Sequence, residues 1–281
     1  MTATIIDGKK LALEIRENLK EKISKYTFKP KLAVVLVGHD GPSEIYVKNK
    51  QKAASEVGIE TELYRFEDDV KESNLKNLID DLNTDSSVHG ILVQLPLPNA
   101  IDSKALLRQI DPRKDVDGFH PLNIGLFQSG DKNATIAATP KGVLRLIKQT
   151  NIDLDGKHAI VIGRSNIVGK PMAMLLLHEN CTVTMAHSHT KNLKTLCQNA
   201  DIVVSATGRA HLIKADWLKK GAVVIDVGIS RDDNGKLCGD VDFEKAKEVA
   251  SFITPVPGGV GPMTIAMLLE NTFEAYLKQL N

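Results

Sequence analysis

Cysteine, long apolar runs and an excess of either charge are all scarce in this chain, and each scarcity excludes something. The three cysteines, Cys181, Cys197 and Cys238, are odd in number and widely spaced, with no CxxC pair. That pattern supplies neither a disulfide framework nor a zinc site, and it suits a reducing compartment. No apolar run reaches the ~18 residues that a membrane-spanning helix needs. Met1–Lys10 holds no signal-peptide core. Lys and Arg number 36 against 35 Asp and Glu, a net charge of +1, so the basic excess of a protein that coats nucleic acid is missing. The expectation is a cytoplasmic protein with no metal, no nucleic acid and no membrane among its partners.

What is present is globular material. Hydrophobic residues make up 42% and charged residues 25% of 281 positions, enough for one large or two modest domains. Leu11, Ile15, Leu19 and Ile23 recur every four residues, which predicts a helix with Asp7 at its start. Lys31–Gly38 (KLAVVLVG) reads as a buried strand and Ser43–Val57 as a helix entered through Asp40-Gly41-Pro42. Ile59–Phe66 reads as a strand, Ser73–Leu82 as a helix and Val88–Gln94 as another buried strand. Strands alternating with helices indicate a mostly parallel sheet.

Regularity lapses over Asp111–Asn123 and again over Ser129–Ala138. Thr139 and Pro140 then read as the cap and first residue of a helix. Strands follow at Lys157–Gly163, Cys181–Ala186, Asp201–Ser205 and Ala222–Val227, with a helix at Gly169–His178. A loop over Pro255–Met263 precedes a final apolar helix, with Thr264 as its cap. The fold class is therefore α/β with two domains, divided near residue 138.

Gly163-Arg164-Ser165-Asn166-Ile167-Val168-Gly169 lies between a strand and a helix. Small residues and free N–H groups at such a turn can receive a pyrophosphate, although the pattern is not GxGxxG and a plain tight turn is the alternative. The next strand ends in His187-Ser188-His189-Thr190. An NAD-binding chain normally carries an acidic residue there to bond the ribose hydroxyls. Its absence, with Arg164 and Ser188 as partners for a 2′-phosphate, favours NADP.

Tyr46 and Lys50 share a helix face. Lys48 and Lys52 have polar neighbours at helical spacing, whereas Lys50 has Tyr46, Val47, Ala53 and Ala54. A lysine in apolar surroundings loses charge solvation, its pKa falls, and it becomes suited to proton transfer near neutrality. A snorkelling lysine is the plain alternative. Tyr46 and Lys50 also match the YxxxK pair of short-chain dehydrogenases, but there the pair follows the nucleotide turn and here it precedes it. Gln94 ends a strand where ligands of parallel sheets bind, unless its amide serves its own loop. Asp117 could accept two N–H bonds from a heterocycle, or serve as a turn residue before Gly118. Pro257-Gly258-Gly259-Val260-Gly261 offers bare backbone to a flat ligand.

Ser43-x-x-Tyr46-x-x-x-Lys50, Val93-Gln94-Leu95-Pro96-Leu97-Pro98, Lys114-Asp115-Val116-Asp117-Gly118, Gly163-Arg164-Ser165-x-Ile167-Val168-Gly169-x-Pro171 and Pro257-Gly258-Gly259-Val260-Gly261-Pro262-Met263-Thr264 occur in that order. Together they resemble the signature set of the bifunctional methylenetetrahydrofolate dehydrogenase/methenyltetrahydrofolate cyclohydrolase family over essentially the whole chain. The resemblance implies an N-terminal α/β catalytic domain (1–138) that binds folate, and a Rossmann-like NADP-binding domain (139–263) with a cleft between them. It further implies that the last helix (264–281) returns to the first domain. It implies Lys50 as the catalytic lysine, with Tyr46, Gln94 and Asp117 around it. Gly163, Arg164, Ser165, Gly169, Ser188 and Ile229 would contact NADP. Val93, Leu95 and Pro257 to Gly261 would line the folate region. Tetrahydrofolate one-carbon derivatives as substrates, a homodimer and no metal complete the implication.

The chain departs from the family at Ala137-Ala138-Thr139-Pro140, where Pro-Cys-Thr-Pro is frequent, and at Ala186, where Cys is frequent. A changed hinge environment and a packing effect are the expected consequences. Three rivals remain: a monofunctional dehydrogenase of the same fold, another NADP oxidoreductase, and a non-catalytic folate- or nucleotide-binding regulator.

Overall fold

The fold is described by a computed structural model covering residues 2–280. The chain divides into two compact units, one of Met1–Leu13 with Thr139–Thr264 and one of Glu14–Ala138 with Ile265–Asn281. The division falls inside three helices, Gly8–Ser24, Ala138–Lys148 and Val260–Gln279.

The unit built on residues 14–138 has a three-stranded parallel sheet. Lys31–Val37 is central, flanked by Glu60–Phe66 and Gly90–Val93. The central strand runs apolar without interruption because both of its faces are covered. Ala33, Val35, Val37, Ile91 and Val93 pack against Leu75, Ile79 and Leu82 of the helix Glu72–Thr84. Each fully buried Val, Leu or Ile among them contributes ~1.5–3 kcal/mol.

The helix Gly41–Val57 follows the central strand. Asp40 Oδ2 accepts the Ser43 N–H at 3.0 Å and the Ser43 hydroxyl at 2.6 Å, and Pro42 sits in the first turn, where no N–H is needed. Gly58, at φ 87°, ends the helix in a left-handed conformation that a side chain would strain.

The segment after the helix Ser103–Gln109 extends this sheet. Ile91 pairs with Asp115 in a parallel bridge, and the Ile91 N–H donates to the Lys114 carbonyl at 2.8 Å. Because the pairing is parallel, Asp117 emerges at the same sheet edge as Gln94. The last helix locks that segment. Asn271 Nδ2 donates to the carbonyls of Val116 at 2.8 Å and Ile136 at 2.9 Å.

The other unit holds a six-stranded parallel sheet. Its order is Thr4–Ile5, Phe252–Ile253, Val223–Asp226, Ile202–Ser205, His158–Ile162, Thr182–Ala186. Beyond residue 139 the chain enters this sheet at His158–Ile162, moves to one side at Thr182–Ala186, then returns to the other at Ile202–Ser205. That reversal is a topological switch point, where the loops at the carboxyl ends of neighbouring strands diverge.

Some expectations need correction. Residues 1–13 belong with 139–264, not with the rest of the first half, because Thr4–Ile5 pairs with Phe252–Ile253. Thr139 lies inside a helix that begins at Ala138, and its hydroxyl meets that of Thr264 at 3.0 Å. Thr264 is no cap either: the last helix starts at Val260 and takes Pro262 into its first turn. The helices Ser103–Gln109 and Pro121–Gln128 were not anticipated. Among the described residues no helix is long and apolar enough to cross a membrane.

Asn271→Ala is expected to lower the free energy of unfolding by about 2 kcal/mol or more, because two buried carbonyls lose their donor. A urea transition with an unchanged midpoint would contradict this.

Candidate active site

Lys50 lies half-buried on the face of the Gly41–Val57 helix that also carries the buried Val47, Ala53, Ala54 and Val57. Its ammonium donates to Gln94 Oε1 at 3.0 Å. Gln94 directly follows the strand Gly90–Val93, and its own Nε2 donates to the Leu95 carbonyl at 2.7 Å. That second bond fixes which end of the amide faces Lys50: the oxygen. Burial lowers the Lys50 pKa, and the negative charge of Asp117 partly opposes the shift. Gln94 adds no charge, so it orients the amine without restoring its full basicity.

Asp115 and Asp117 divide the labour of one loop. Asp115 is buried, and its oxygens accept the N–H groups of Gly118 (3.1 Å), Phe119 (3.2 Å) and His120 (2.9 Å) and the Asn123 amide (2.8 Å). Asp115 therefore builds the turn. Asp117 accepts no protein hydrogen bond among the described residues. Burial pushes its carboxyl up to about 6, against the pull of Lys50 and with the help of the Asp115 charge. Gly118 makes the turn possible. Its φ is +71°, and a Cβ there would stand 2.7 Å from the Ala137 nitrogen.

Tyr46 precedes Lys50 by one helical turn and keeps 40% of its surface exposed, leaving a flat ring available. Val93 is buried in the strand and Leu95 is half-buried after it. This unit thus gathers Lys50, Gln94 and Asp117, with Tyr46 on the turn before Lys50.

In the other unit, Gly163 follows the strand His158–Ile162 at the switch point. Its φ is +128°, and a Cβ would lie 2.5 Å from the Ala206 carbonyl oxygen. Gly169 opens the helix Gly169–His178, and a Cβ on it would collide with Gly163. The Ser165 hydroxyl accepts the N–H groups of Val168 at 3.1 Å and Gly169 at 3.3 Å, shaping the turn. Arg164 is exposed beside it. The next strand ends in a turn closed by Thr190, whose hydroxyl accepts the His187 N–H at 2.8 Å and whose N–H donates to the His187 carbonyl at 2.8 Å. Ser188 is exposed at its tip, and no carboxylate lies between residues 187 and 190. Ile229 is 48% exposed after the strand Val223–Asp226. These residues fit a dinucleotide with a 2′-phosphate: glycines where backbone must approach, a cation, a hydroxyl, and no opposing charge.

The Pro257–Gly261 segment is less open than its composition suggests. Gly259 and Val260 are buried, and Gly259 meets Gly8 backbone. Pro257 is exposed, and Gly258 and Gly261 are half-buried.

The structural role of Asp115 is not among the expectations from sequence. Its signal was the spacing: a carboxylate three, four and five residues before N–H groups in a turn. Asp226 and Asp240, both buried, were also missed, because each stands in or beside an apolar strand that masks it.

A half-buried lysine hydrogen-bonded to Gln94 at one sheet edge and a glycine turn at the switch point of another define a nucleotide-dependent α/β enzyme. Comparison narrows the class. Residues 6–117 match the catalytic domain, and residues 137–280 the NAD(P)-binding domain, of tetrahydrofolate dehydrogenase/cyclohydrolase. The bifunctional protein FolD of Bacillus subtilis is 55% identical over 100% of both chains. The crystal structure of the bifunctional enzyme FolD of Campylobacter jejuni is 48% identical, covers 98% of this chain and 99% of its own, and superposes with a TM-score of 0.96. The Trypanosoma brucei methylenetetrahydrofolate dehydrogenase-cyclohydrolase, solved with NADP and an inhibitor, is 37% identical over 100% of this chain and 99% of its own, with a TM-score of 0.96. The chain belongs to the tetrahydrofolate dehydrogenase/cyclohydrolase family.

Proposed function

We propose that this chain oxidises 5,10-methylenetetrahydrofolate with NADP and hydrolyses the 5,10-methenyl product to 10-formyltetrahydrofolate. The observation that carries the reading is Lys50, half-buried, lowered in pKa and held by Gln94 Oε1 at 3.0 Å. Full-length identity of 55% to a bifunctional relative supports both steps.

Asp117 holds the pterin by accepting two of its N–H groups, the task its unspent oxygens suit. Tyr46 offers a ring face to the folate. Arg164 and Ser188 would bond the 2′-phosphate of NADP, Gly163, Ser165 and Gly169 would admit its pyrophosphate, and Ile229 would pack against it; the cofactor so held would supply the hydride acceptor for the methylene carbon. For oxidation the protein's contribution is positioning. In hydrolysis water adds to the electrophilic methenyl carbon, and the neutral Lys50 amine takes the proton that this water sheds. Gln94 keeps the amine aimed. Lys50 then returns the proton to the pterin nitrogen as its bond to that carbon breaks, and the hydroxyl proton leaves to solvent. A neutral amine also spares the cationic substrate repulsion.

Val93, Leu95 and the Pro257–Gly261 segment complete the folate surroundings in this reading. Residues 14–138 form the folate-binding part and residues 139–263 the NADP-binding part. The resemblance to the folate family supports a homodimer, and the free cysteines support a cytoplasmic location.

The test is absorbance at the wavelengths of reduced cofactor and of methenyl product, after mixing enzyme, methylenetetrahydrofolate and either NADP or NAD. Reduced cofactor with NADP, little signal with NAD and no accumulating methenyl species is expected. Lys50→Met is expected to slow hydrolysis by ~10²-fold or more, so that the methenyl species accumulates. Hydrolysis at the parent rate in that variant would remove Lys50 from the mechanism.

Asp117 gives a pH signature. Its carboxyl titrates at about 6, so it gains a proton as pH falls through that value and can no longer accept two N–H bonds. KM for the folate should rise below about pH 6, whereas a carboxylate with an ordinary pKa near 4 would hold it flat to about pH 5.

A further inference from the structure

Asp226 and Asp240 are buried carboxylates that the proposed reaction does not touch, with 3% and 0% of their surface exposed. Asp226 ends the strand Val223–Asp226. Its Oδ1 accepts the N–H groups of Gly228 and Asp240, both at 3.0 Å, and its Oδ2 accepts that of Val241 at 2.8 Å. Its own N–H donates to the Thr254 hydroxyl at 2.8 Å. Asp240 Oδ2 accepts the Ser205 hydroxyl at 2.8 Å and the Thr207 N–H at 2.6 Å, and its Oδ1 accepts the Arg209 N–H at 2.9 Å.

Apart from the Asp226 bonds to the N–H groups of Asp240 and Val241 and the Asp240 bond to the strand-end Ser205, these bonds go to three loops, each following a parallel strand of the six-stranded sheet at its carboxyl end. Residues 206–209 follow Ile202–Ser205, residues 227–230 follow Val223–Asp226, and residues 254–259 follow Phe252–Ile253. The first two loops are also tied directly, by the Ser230 hydroxyl on the Gly208 carbonyl at 3.0 Å. Two glycines fit the pair reciprocally. A Cβ on Gly228 would collide with the Asp240 carboxylate, and one on Gly239 with the Asp226 carboxylate. Loop 206–209 reaches the nucleotide turn, since Gly163 packs on the Ala206 carbonyl. Loop 227–230 carries the exposed Ile229.

We infer that Asp226 and Asp240 are positioning residues for the dinucleotide: they hold the 206–209 and 227–230 loops at the spacing that admits it. The inference rests on the proposed use of NADP. A carboxylate suits the task because it only accepts, so each oxygen takes loop N–H groups that have no ladder partner. Burial is costly for these groups; it pushes the Asp226 carboxyl up to about 7. An apolar pair would avoid that cost and leave the loop amides unpaired. The Asp240→Asn amide turns an N–H₂ group toward donors on one side of the pair, so the loops must spread.

The test uses the full chain and both of its reactions, of which hydrolysis needs no NADP. Calorimetry gives Kd for NADP, and steady-state assays give KM for NADP and the constants for hydrolysis. Asp240→Asn is expected to raise Kd and KM for NADP about tenfold or more, the effect of losing one charge-assisted bond, with hydrolysis of the methenyl substrate within about twofold of the parent. Ser205→Ala, a milder change at the same carboxylate, is expected to raise Kd about threefold and decides the matter if Asp240→Asn does not fold. Parent-like NADP affinity in the folded variant, or an equal fall in both activities, would overturn the inference. Parent protein that binds no NADP at all overturns the functional reading and the inference with it.

Discussion

Parallel pairing is the constraint from which the rest follows. A chain that crosses over and starts each strand at the same edge collects its loops at the opposite edge, where backbone N–H and C=O groups have no ladder partner. In the unit of residues 14–138 that edge receives Gly38, Gln94 and, through the Ile91–Asp115 bridge, Asp117. In the six-stranded sheet it receives Gly163, Ala206 and Val227. Residues tens of positions apart in sequence are here neighbours by topology. The apolar strands behind them supply rigidity, so chemistry at the edge can rest on loops without losing its geometry.

Unpaired amides at such an edge attract carboxylates, and the chain uses that attraction in two ways. Asp115 and Asp117 stand two residues apart in one loop. Asp115 is surrounded by donors and stays with the fold, whereas Asp117 is left with burial and the charge of Lys50. Lys50 is in the converse position: desolvation lowers its pKa, and its ammonium donates to a neutral amide oxygen. A carboxylate in place of Gln94 would have stabilised the ammonium and removed the base. The site therefore works by withholding full compensation from one lysine and one aspartate, while a neighbouring aspartate carries the structural burden.

Much of this was legible in the residues. The apolar runs at 31–37, 158–162, 202–205 and 223–226 are strands because nothing else buries both faces of such short segments. Lys50 could be separated from Lys48 and Lys52 by its neighbours at helical spacing, since a helix fixes which residues share a face. Other features depended on pairings too distant to read. The strand Thr4–Ile5 is two residues long, and only its partner Phe252–Ile253 assigns residues 1–13 to the second sheet. The loop expected over Pro255–Met263 in fact holds the start of the last helix at Val260, because proline is tolerated in a first turn, where the missing N–H has no partner to lose. The role of Asp115 was hidden because a carboxylate in a glycine-punctuated loop is ordinary; its burial is what distinguishes it.

The central claim is that burial lowers the pKa of Lys50 below that of an ordinary lysine. Nuclear magnetic resonance of lysine side-chain amines, titrated against pH with Lys50→Met for assignment, tests it directly. The account predicts one resonance, absent from the variant, that titrates below the ordinary lysine value of 10.5 and apart from the rest. Lys50 titrating at or above that value, together with the surface lysines, would contradict it.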